Sequence, residues 1–362
     1  MYCIIYNRIL FKLIVEVIMA KLELKQIAFT DVNKAELLGM GSFDTQMLDS
    51  FSVIVKTEIS TISSGTEKAN ITGDPNVRGE SKEVAPFPRF CGYSSAGTVI
   101  AIGDCVKKVN VGDRVVVYWG QHINYNIVHE SQVVKIPEGV SFSEAAISFI
   151  STFPLAGIRK VQLEVGESCL IMGLGILGQL AVKLARVAGA VPIVVADPVK
   201  ERRELALKNG ADYAFDPLEE NFAEKVKAIT NGGVRTAIEV TGVGAGLNET
   251  LDCMARLGRV ALLGCTRNSD FTIDYYKKVH SPGITLVGAH TRARPNEESY
   301  PHYFTHNDDI ASVLALCDKG RLTIKDLIVE VHSPEECFDV YSRLVTDRNF
   351  PIGVQFDWNR IK

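Results

Sequence analysis

The chain of 362 residues lacks a charge excess: 39 Lys and Arg face 43 Asp and Glu, a net charge of −4. A dedicated nucleic-acid binder concentrates basic residues, so this balance argues against a nucleic-acid partner. It also lacks clustered cysteines. The eight, at 3, 91, 105, 169, 253, 265, 317 and 337, form no C-x-x-C pair. That excludes a zinc ribbon, an iron–sulfur motif and a thioredoxin-like site. Unclustered thiols with no evident secretion signal are expected to be reduced, in a cytoplasmic protein. A third absence is an uncharged apolar run long enough to span a bilayer. The greasy stretch Tyr2–Ile18 is broken by Arg8, Lys12 and Glu16, and no small-residue cleavage site follows it. No membrane role is expected. Residues 1–18 are expected to be a dispensable extension, with the functional start at Met19.

What is present points to two domains, from length alone. Residues 20 to about 150 read as short β segments, such as Val53–Thr57, Ala96–Gly103 and Val109–Val117, punctuated by Gly and Pro. This texture fits a small β-barrel. From about 151 to 290, short apolar runs alternate with helical patterns, which implies a doubly wound parallel sheet. The fold class is therefore α/β with a β-barrel domain. After 291 the alternation breaks. Asp308–Cys317 and Pro334–Val345 read as helices, and Ile352–Phe356 as a closing strand.

The strongest motif is Gly173-Leu174-Gly175-Ile176-Leu177-Gly178, a G-x-G-x-x-G between a strand and a helix. Gly173 permits the tight turn, Gly175 lets a pyrophosphate approach the backbone, and Gly178 lets helix and strand pack closely. The helix N-terminus adds free N–H groups and the positive end of its dipole. The next strand, Ile193–Ala196, ends at Asp197, 19 residues past Gly178. A carboxylate there accepts from ribose hydroxyls and repels a 2′-phosphate, which favours NAD over NADP. Lys200, Arg202 and Arg203 keep NADP open as the alternative, and Asp197 has a second reading as a helix cap.

These residues resemble the medium-chain dehydrogenase/reductase superfamily over nearly all of 20–362. Gly97-x-Val99-x-x-x-Gly103, Val106 and Gly112-Asp113-Arg114-Val115 are similar to its barrel signature. Glu239-Val240-Thr241-Gly242, Gly258-Arg259-Val260 and Leu263-Gly264 resemble later cofactor-domain segments. The resemblance implies a GroES-like catalytic domain over 19–150, a Rossmann domain over 151–290, and a return to the catalytic domain over 291–362. It implies an active site in the cleft between the domains, and a homodimer formed through the last cofactor-domain strand, about Ile284–Gly288. It places Thr152, Cys265 and His290 beside the nicotinamide carboxamide, with Thr241 and Arg202 among the cofactor contacts.

The departures from that family are informative. Zinc members carry C-G-x-D-x-H where this chain has Ser64-Gly65-Thr66-Glu67-Lys68-Ala69, and G-H-E where it has Gly92-Tyr93-Ser94. The next ligand position reads Ser148. No cysteine lies between Cys105 and Cys169, so the four-cysteine structural lobe is missing too. Neutral hydroxyls do not replace thiolate and imidazole on zinc. Dehydrogenase chemistry without a metal is expected. Ser64–Glu67 and Gly92–Ser94 look locally like the zinc-free branch that contains bacteriochlorophyllide dehydrogenases.

Without zinc, hydrogen-bond donors must polarise the carbinol oxygen and move its proton. Thr66 aligns with the hydroxyl that begins the family's proton relay. Tyr93 stands at the lost His, and Glu67 at the family's Asp, with a buried ion pair as its plainer role. His122, in Trp119–Tyr125, is a candidate acid/base because imidazole titrates near neutral pH. Ser64, Ser94 and Tyr125 are expected to line the substrate. Arg292 and Arg294 offer a grip on an anionic substrate, or else a solvated loop. His302 and His306 have metal-ligand spacing but no third ligand.

The leading expectation is a zinc-independent, NAD-dependent oxidoreductase that interconverts a secondary alcohol and a ketone on a sugar, glycoside or cyclitol. A quinone or enone reductase, and a nicotinamide-binding protein without turnover, stand as alternatives.

Overall fold

Sixteen strands and eight α-helices follow one another in the computed structural model, which describes residues 21–78, 85–266 and 269–361. The proposed extension, residues 1–18, lies outside the described residues. The first stretch carries β1 (Lys21–Asp31), β2 (Lys34–Asp44), β3 (Ser52–Thr61), α1 (Ser64–Ile71), β4 (Arg89–Phe90), β5 (Ser94–Ile102), β6 (Arg114–Tyr118), β7 (Tyr125–His129) and β8 (Val133–Lys135). Then come α2 (Phe142–Lys160), β9 (Cys169–Met172), α3 (Ile176–Ala188), β10 (Ile193–Ala196), α4 (Lys200–Lys208), β11 (Tyr213–Phe215), α5 (Phe222–Ile229), β12 (Val234–Glu239), α6 (Gly244–Asp252), β13 (Met254–Leu262) and β14 (Thr285–Gly288). The last are α7 (His306–Asp318), β15 (Ile328–His332), α8 (Cys337–Thr346) and β16 (Gly353–Asp357).

The chain divides into two units. One runs to Ser148 and resumes at Ile328; the other is Phe149–Leu327.

The first unit is built from antiparallel strands except for β15 and β16, which pair in parallel. β15-β16-β3-β5-β6-β8 form one path, with β7 paired to β3, and β2-β1-β4 form a three-stranded sheet. Alternation along the strands supplies one core: Val53, Val55, Val99, Val115 and Val117 are fully buried together. A second core gathers Ile27, Phe29, Ile62, Ile71, Tyr341, Phe356 and Trp358. Each such aliphatic or aromatic side chain contributes roughly 1.5–3 kcal/mol through removal from water. Gly97 sits at a close crossing, because a Cβ there would strike the Lys56 carbonyl.

The second unit is a six-stranded sheet in the order β11-β10-β9-β12-β13-β14, every pairing parallel. Cys169-Leu-Ile-Met and Ile193-Val-Val-Ala are buried at every residue, as strands covered on both faces must be. β9 is first in the chain yet central, so its neighbours lie on opposite sides. The crevice at its carboxyl end, beside β12, is the switch point where such sheets bind ligands.

The second unit reaches further than its sequence pattern shows. Residues 291–327 belong to it, not to the barrel unit, which the chain rejoins at Ile328. The cause is a buried ion cluster. Asp309 of α7 has no exposed surface and binds Arg159 of α2 at 2.9 Å and Arg294 at 3.0 Å. This ties the 290s and α7 to the helix that opens the unit.

Candidate active site

The fingerprint turn has the geometry its glycines demand. Gly173 holds φ +96°, a left-handed conformation that suits glycine. Gly178 lies against the Gly173 carbonyl, where any Cβ would collide. Gly175 caps α3 and faces open space that a Cβ would partly fill. Ile176 is buried and Leu177 half-buried in the first turn of α3. Gly189 at φ +88° ends that helix. This cradle fits a pyrophosphate, approached by backbone N–H groups at a helix start.

Asp197 is 5% exposed. Its Oδ2 accepts from the Leu174 N–H and its Oδ1 from the Val199 N–H, both at 2.8 Å. The carboxylate therefore braces the fingerprint turn and caps the approach to α4, and an ionised carboxylate retains further acceptor capacity. Arg203 is committed to the Asp197 carbonyl at 2.6 Å and to Asp216 at 3.2 Å. Lys200 lies 3.7 Å from Glu204, and Arg202 3.9 Å from Asp197. Cys265 and His290 are exposed and Thr241 half-exposed. Thr152 has no exposed surface. Its hydroxyl donates to the Phe149 carbonyl and its own carbonyl accepts from Arg294. The expectation that Thr152 touches the cofactor is thus replaced by a role inside α2. Arg294 is likewise spent on Asp309 and Thr152, which removes it as an anion grip. His306 packs against Phe149 and Phe153, and burial, with Arg294 nearby, drives its pKa down to about 3.

In the first unit the expected residues fall into two groups. Ser64 and Thr66, half-exposed on the first turn of α1, have no hydrogen-bond partner for their hydroxyls among the described residues. Just before them Ser63 is buried, and its hydroxyl accepts from the Tyr93 O–H. The half-buried Tyr93 ring packs on Trp119, centroids 5.5 Å apart. Trp119 adopts φ +55°, a left-handed conformation that is strained for a bulky residue. It is held by its N–H on the Tyr93 carbonyl at 2.9 Å and by Gln132 on its own carbonyl at 3.4 Å.

The second group is enclosed. Glu67 and His122 have no exposed surface. Glu67 Oε1 accepts from the Ser63 N–H at 2.8 Å, and Oε2 from the Tyr341 O–H at 2.6 Å, with His122 Nε2 3.2 Å away. His122 Nδ1 meets Ser60 Oγ at 2.7 Å, and Ser60 accepts from Trp358 Nε1 at 2.8 Å. A carboxylate can only accept, so a neutral ring with its proton on Nε2 satisfies both contacts, Nδ1 then accepting from the Ser60 O–H. The sequence reading made both residues candidate catalysts, with a buried ion pair as the plainer role of Glu67. The structure corrects this: neither meets solvent, and every polar atom already has a protein partner.

Cys91 joins them, and its thiol, a His122 nitrogen and a Glu67 oxygen lie within 4.8 Å of one another. That donor set is one a metal can use. Here, though, burial and the Glu67 charge push the Cys91 thiol well above its ordinary range, and the remaining donors are engaged with Tyr341, Ser63 and Ser60. The residues at the family's own zinc positions fit no better. Ser94 donates to the Ala146 carbonyl and Ser148 to the Ala145 carbonyl, both at 2.6 Å and both fully buried. Ser94 is therefore not a substrate contact either. Tyr125 is half-buried on a shallow groove shared with Lys25, Lys56 and Trp358.

Sequence reasoning missed Ser63 and Tyr341, and gave Trp119 and Glu239 no role beyond the segments that contain them. A strained aromatic after a strand has no sequence signature, and Tyr341 lies 274 residues from the carboxylate it holds.

Comparison with known proteins defines the class. Residues 50–138 match the alcohol dehydrogenase GroES-like domain, and 177–305 the zinc-binding dehydrogenase domain. The chain belongs to the medium-chain dehydrogenase/reductase superfamily, alcohol dehydrogenase-like, and is an oxidoreductase. It is 26% identical to D-guloside 3-dehydrogenase of Escherichia coli (strain K12), over 75% of this chain and 79% of that protein. It is 30% identical to L-threonine 3-dehydrogenase of Pyrococcus horikoshii, over 56% of this chain and 66% of that protein. The solved structure of L-idonate 5-dehydrogenase from Escherichia coli shares the fold, with TM-score 0.77 at 16% identity over 94% of this chain and 99% of the other.

Proposed function

We propose that this chain is a zinc-independent, NAD(H)-dependent oxidoreductase that interconverts a secondary alcohol and a ketone on a polyhydroxylated substrate, a sugar, glycoside or cyclitol. The observation that carries this reading is the row of hydroxyls, Ser63, Ser64, Thr66 and Tyr93, at and beside the positions where zinc members bind metal. The similarity to D-guloside 3-dehydrogenase supports the substrate class. The Asp197 carboxylate supports NAD, and the commitment of Arg203 elsewhere removes one candidate for a 2′-phosphate.

When bound, the nicotinamide exchanges a hydride with the carbinol carbon. The chain's own residues handle the oxygen. Tyr93 is the acid/base: in ketone reduction its phenol gives its proton to the substrate oxygen, and the phenolate left behind is reprotonated from solvent, to which the half-buried ring is open; in oxidation the phenolate takes up the substrate proton. Thr66 and Ser64 hydrogen-bond the substrate hydroxyls. Glu67 holds the Ser63 N–H, so the hydroxyl that hydrogen-bonds Tyr93 stays in place. Positioned proton transfer of this kind contributes about 10²–10⁴-fold.

The protein acts in a cytoplasmic, reducing compartment. The described cysteines are all free, and no described helix is long and apolar enough to cross a membrane. Its partner is a second copy, added at β14, the open edge of the six-stranded sheet.

The test is the absorbance of NADH and NADPH across polyols, glycosides, simple secondary alcohols, quinones and enones, with elemental analysis of untagged protein. Turnover of polyols or glycosides with NAD at a metal content far below one per chain is expected. Preference for quinones or enones, or stoichiometric zinc that activity requires, overturns the reading.

A further inference from the structure

Glu239 is a costly residue for its place. It ends β12, opposite Met172 at the end of β9, and is 3% exposed at the switch point of the sheet. Buried carboxylates need strong partners, and Glu239 finds all of its side-chain partners within the next three residues. Its Oε1 accepts from the Thr241 N–H at 2.8 Å and from the Thr241 O–H, and its Oε2 from the Gly242 N–H at 3.4 Å. Burial still pushes its pKa above the usual carboxylate range, those three donors working against the shift. Accepting from three donors of one turn, the side chain is a rigid anchor for that turn.

What that anchor holds is a turn pressed between glycines. A Cβ on Gly173, first glycine of the fingerprint, would lie 3.0 Å from Thr241 Cγ2. One on Gly246 would overlap Thr241 Oγ1, and one on Gly264 would overlap the Gly242 nitrogen. Gly242, at φ +67°, would place a Cβ 2.6 Å from the Cys265 carbonyl. The loops after β9, β12 and β13 therefore meet at Thr241–Gly242, and the Leu263 and Gly264 N–H groups donate to the Glu239 carbonyl at 2.9 and 2.8 Å.

We propose that Glu239 is a positioning residue for the dinucleotide: through Thr241 it sets the wall against which the Gly173 turn forms, and so the shape of the phosphate cradle. This rests on the nicotinamide reading above. Glu239 reaches the cofactor only through Thr241 and Gly173.

The test is a fluorescence titration of NADH against the full chain, wild type and Glu239→Ala, Thr241→Val, the double variant and Glu239→Gln, each with its Tm. Glu239→Ala and Thr241→Val are each expected to raise the NADH Kd about tenfold, and the double variant no further, because both remove one linkage. Glu239→Gln keeps an acceptor for the Thr241 N–H and is expected to recover most of the affinity. Affinity within twofold of wild type in Glu239→Ala, or additive losses in the double variant, overturns the proposal. If Glu239→Ala does not fold, Glu239→Gln and Thr241→Val decide: loss in Thr241→Val with near-normal binding in Glu239→Gln supports it, and normal binding in Thr241→Val overturns it. Failure of the wild type to bind either nicotinamide dinucleotide overturns the functional reading itself, and is distinct from binding that the variants leave unchanged.

Discussion

Glu67 and His122 face each other at 3.2 Å, Oε2 to Nε2, with neither side chain exposed. Such a pair survives in a core only when its remaining polar atoms are hydrogen-bonded. Tyr341, the Ser63 N–H and Ser60 meet that condition. Removing the acid leaves His122 Nε2 and the Tyr341 hydroxyl without acceptors. Glu67→Ala is expected to lower stability by about 3 kcal/mol. Urea unfolding followed by circular dichroism measures this, and a loss under about 0.5 kcal/mol, the level of an ordinary surface substitution, contradicts the network.

Gly92, at φ +101°, lies directly against the His122 ring, which a Cβ would overlap. Two penalties combine in Gly92→Ala, a left-handed backbone and an overpacked core. A cost of about 2–4 kcal/mol is expected. A Tm equal to wild type means that the ring has room to move.

Tyr93→Phe deletes the hydroxyl that reaches Ser63 and leaves the packing on Trp119. On the true substrate kcat is expected to fall about 100-fold, with NADH affinity unchanged. Equal turnover by the variant removes Tyr93 as acid/base.

Asp197→Asn keeps an acceptor for the Leu174 or Val199 N–H and deletes the charge. The ratio of NADPH to NADH affinity is expected to rise about tenfold. Isothermal titration with both cofactors reads the ratio directly, and an unchanged value shows that another group selects the ribose.

His332 sits between Glu330 at 2.8 Å and Glu336 at 2.6 Å, and Glu330 also binds Arg343. Burial opposes its charge, but hydrogen bonds to the two carboxylates outweigh that and raise its pKa above the ordinary 6.5. Glu330 moves the other way, to about 2, mainly through Arg343. A raised pKa gives stability that is full below about 6.5 and lost as pH rises through the folded value. Glu330 gives stability that is full above about 4.5 and lost as pH falls towards 2. The Tm difference between wild type and His332→Ala is therefore expected to be largest near pH 5–6 and to shrink by pH 9. A difference that stays constant across that range contradicts the assignment.

Much of this protein is local in sequence. The fingerprint glycines, the strand before them and the helix after them lie within 20 consecutive residues, and steric limits on φ together with helix geometry fix their arrangement. Asp197 follows at the spacing of one strand–helix–strand unit. The helices near 308–317 and 334–345 and the closing strand near 352–356 were legible from periodicity, and appear as α7, α8 and β16. The departures from the family's zinc ligands were legible too, because they concern residue types at motif positions. The tertiary structure decided what depends on distant segments meeting. Burial turned Glu67 and His122 from candidate catalysts into a brace, since Tyr341, Ser60 and Trp358 come from three other elements. The Asp309 cluster moved the second domain boundary from 291 to 328, because ion pairs across more than a hundred residues leave no periodic trace. Ser63 became the partner of Tyr93 through a fold contact across 30 residues. Side-chain type and local spacing record chemistry, whereas solvent access and hydrogen-bond partners exist only once the chain has closed on itself.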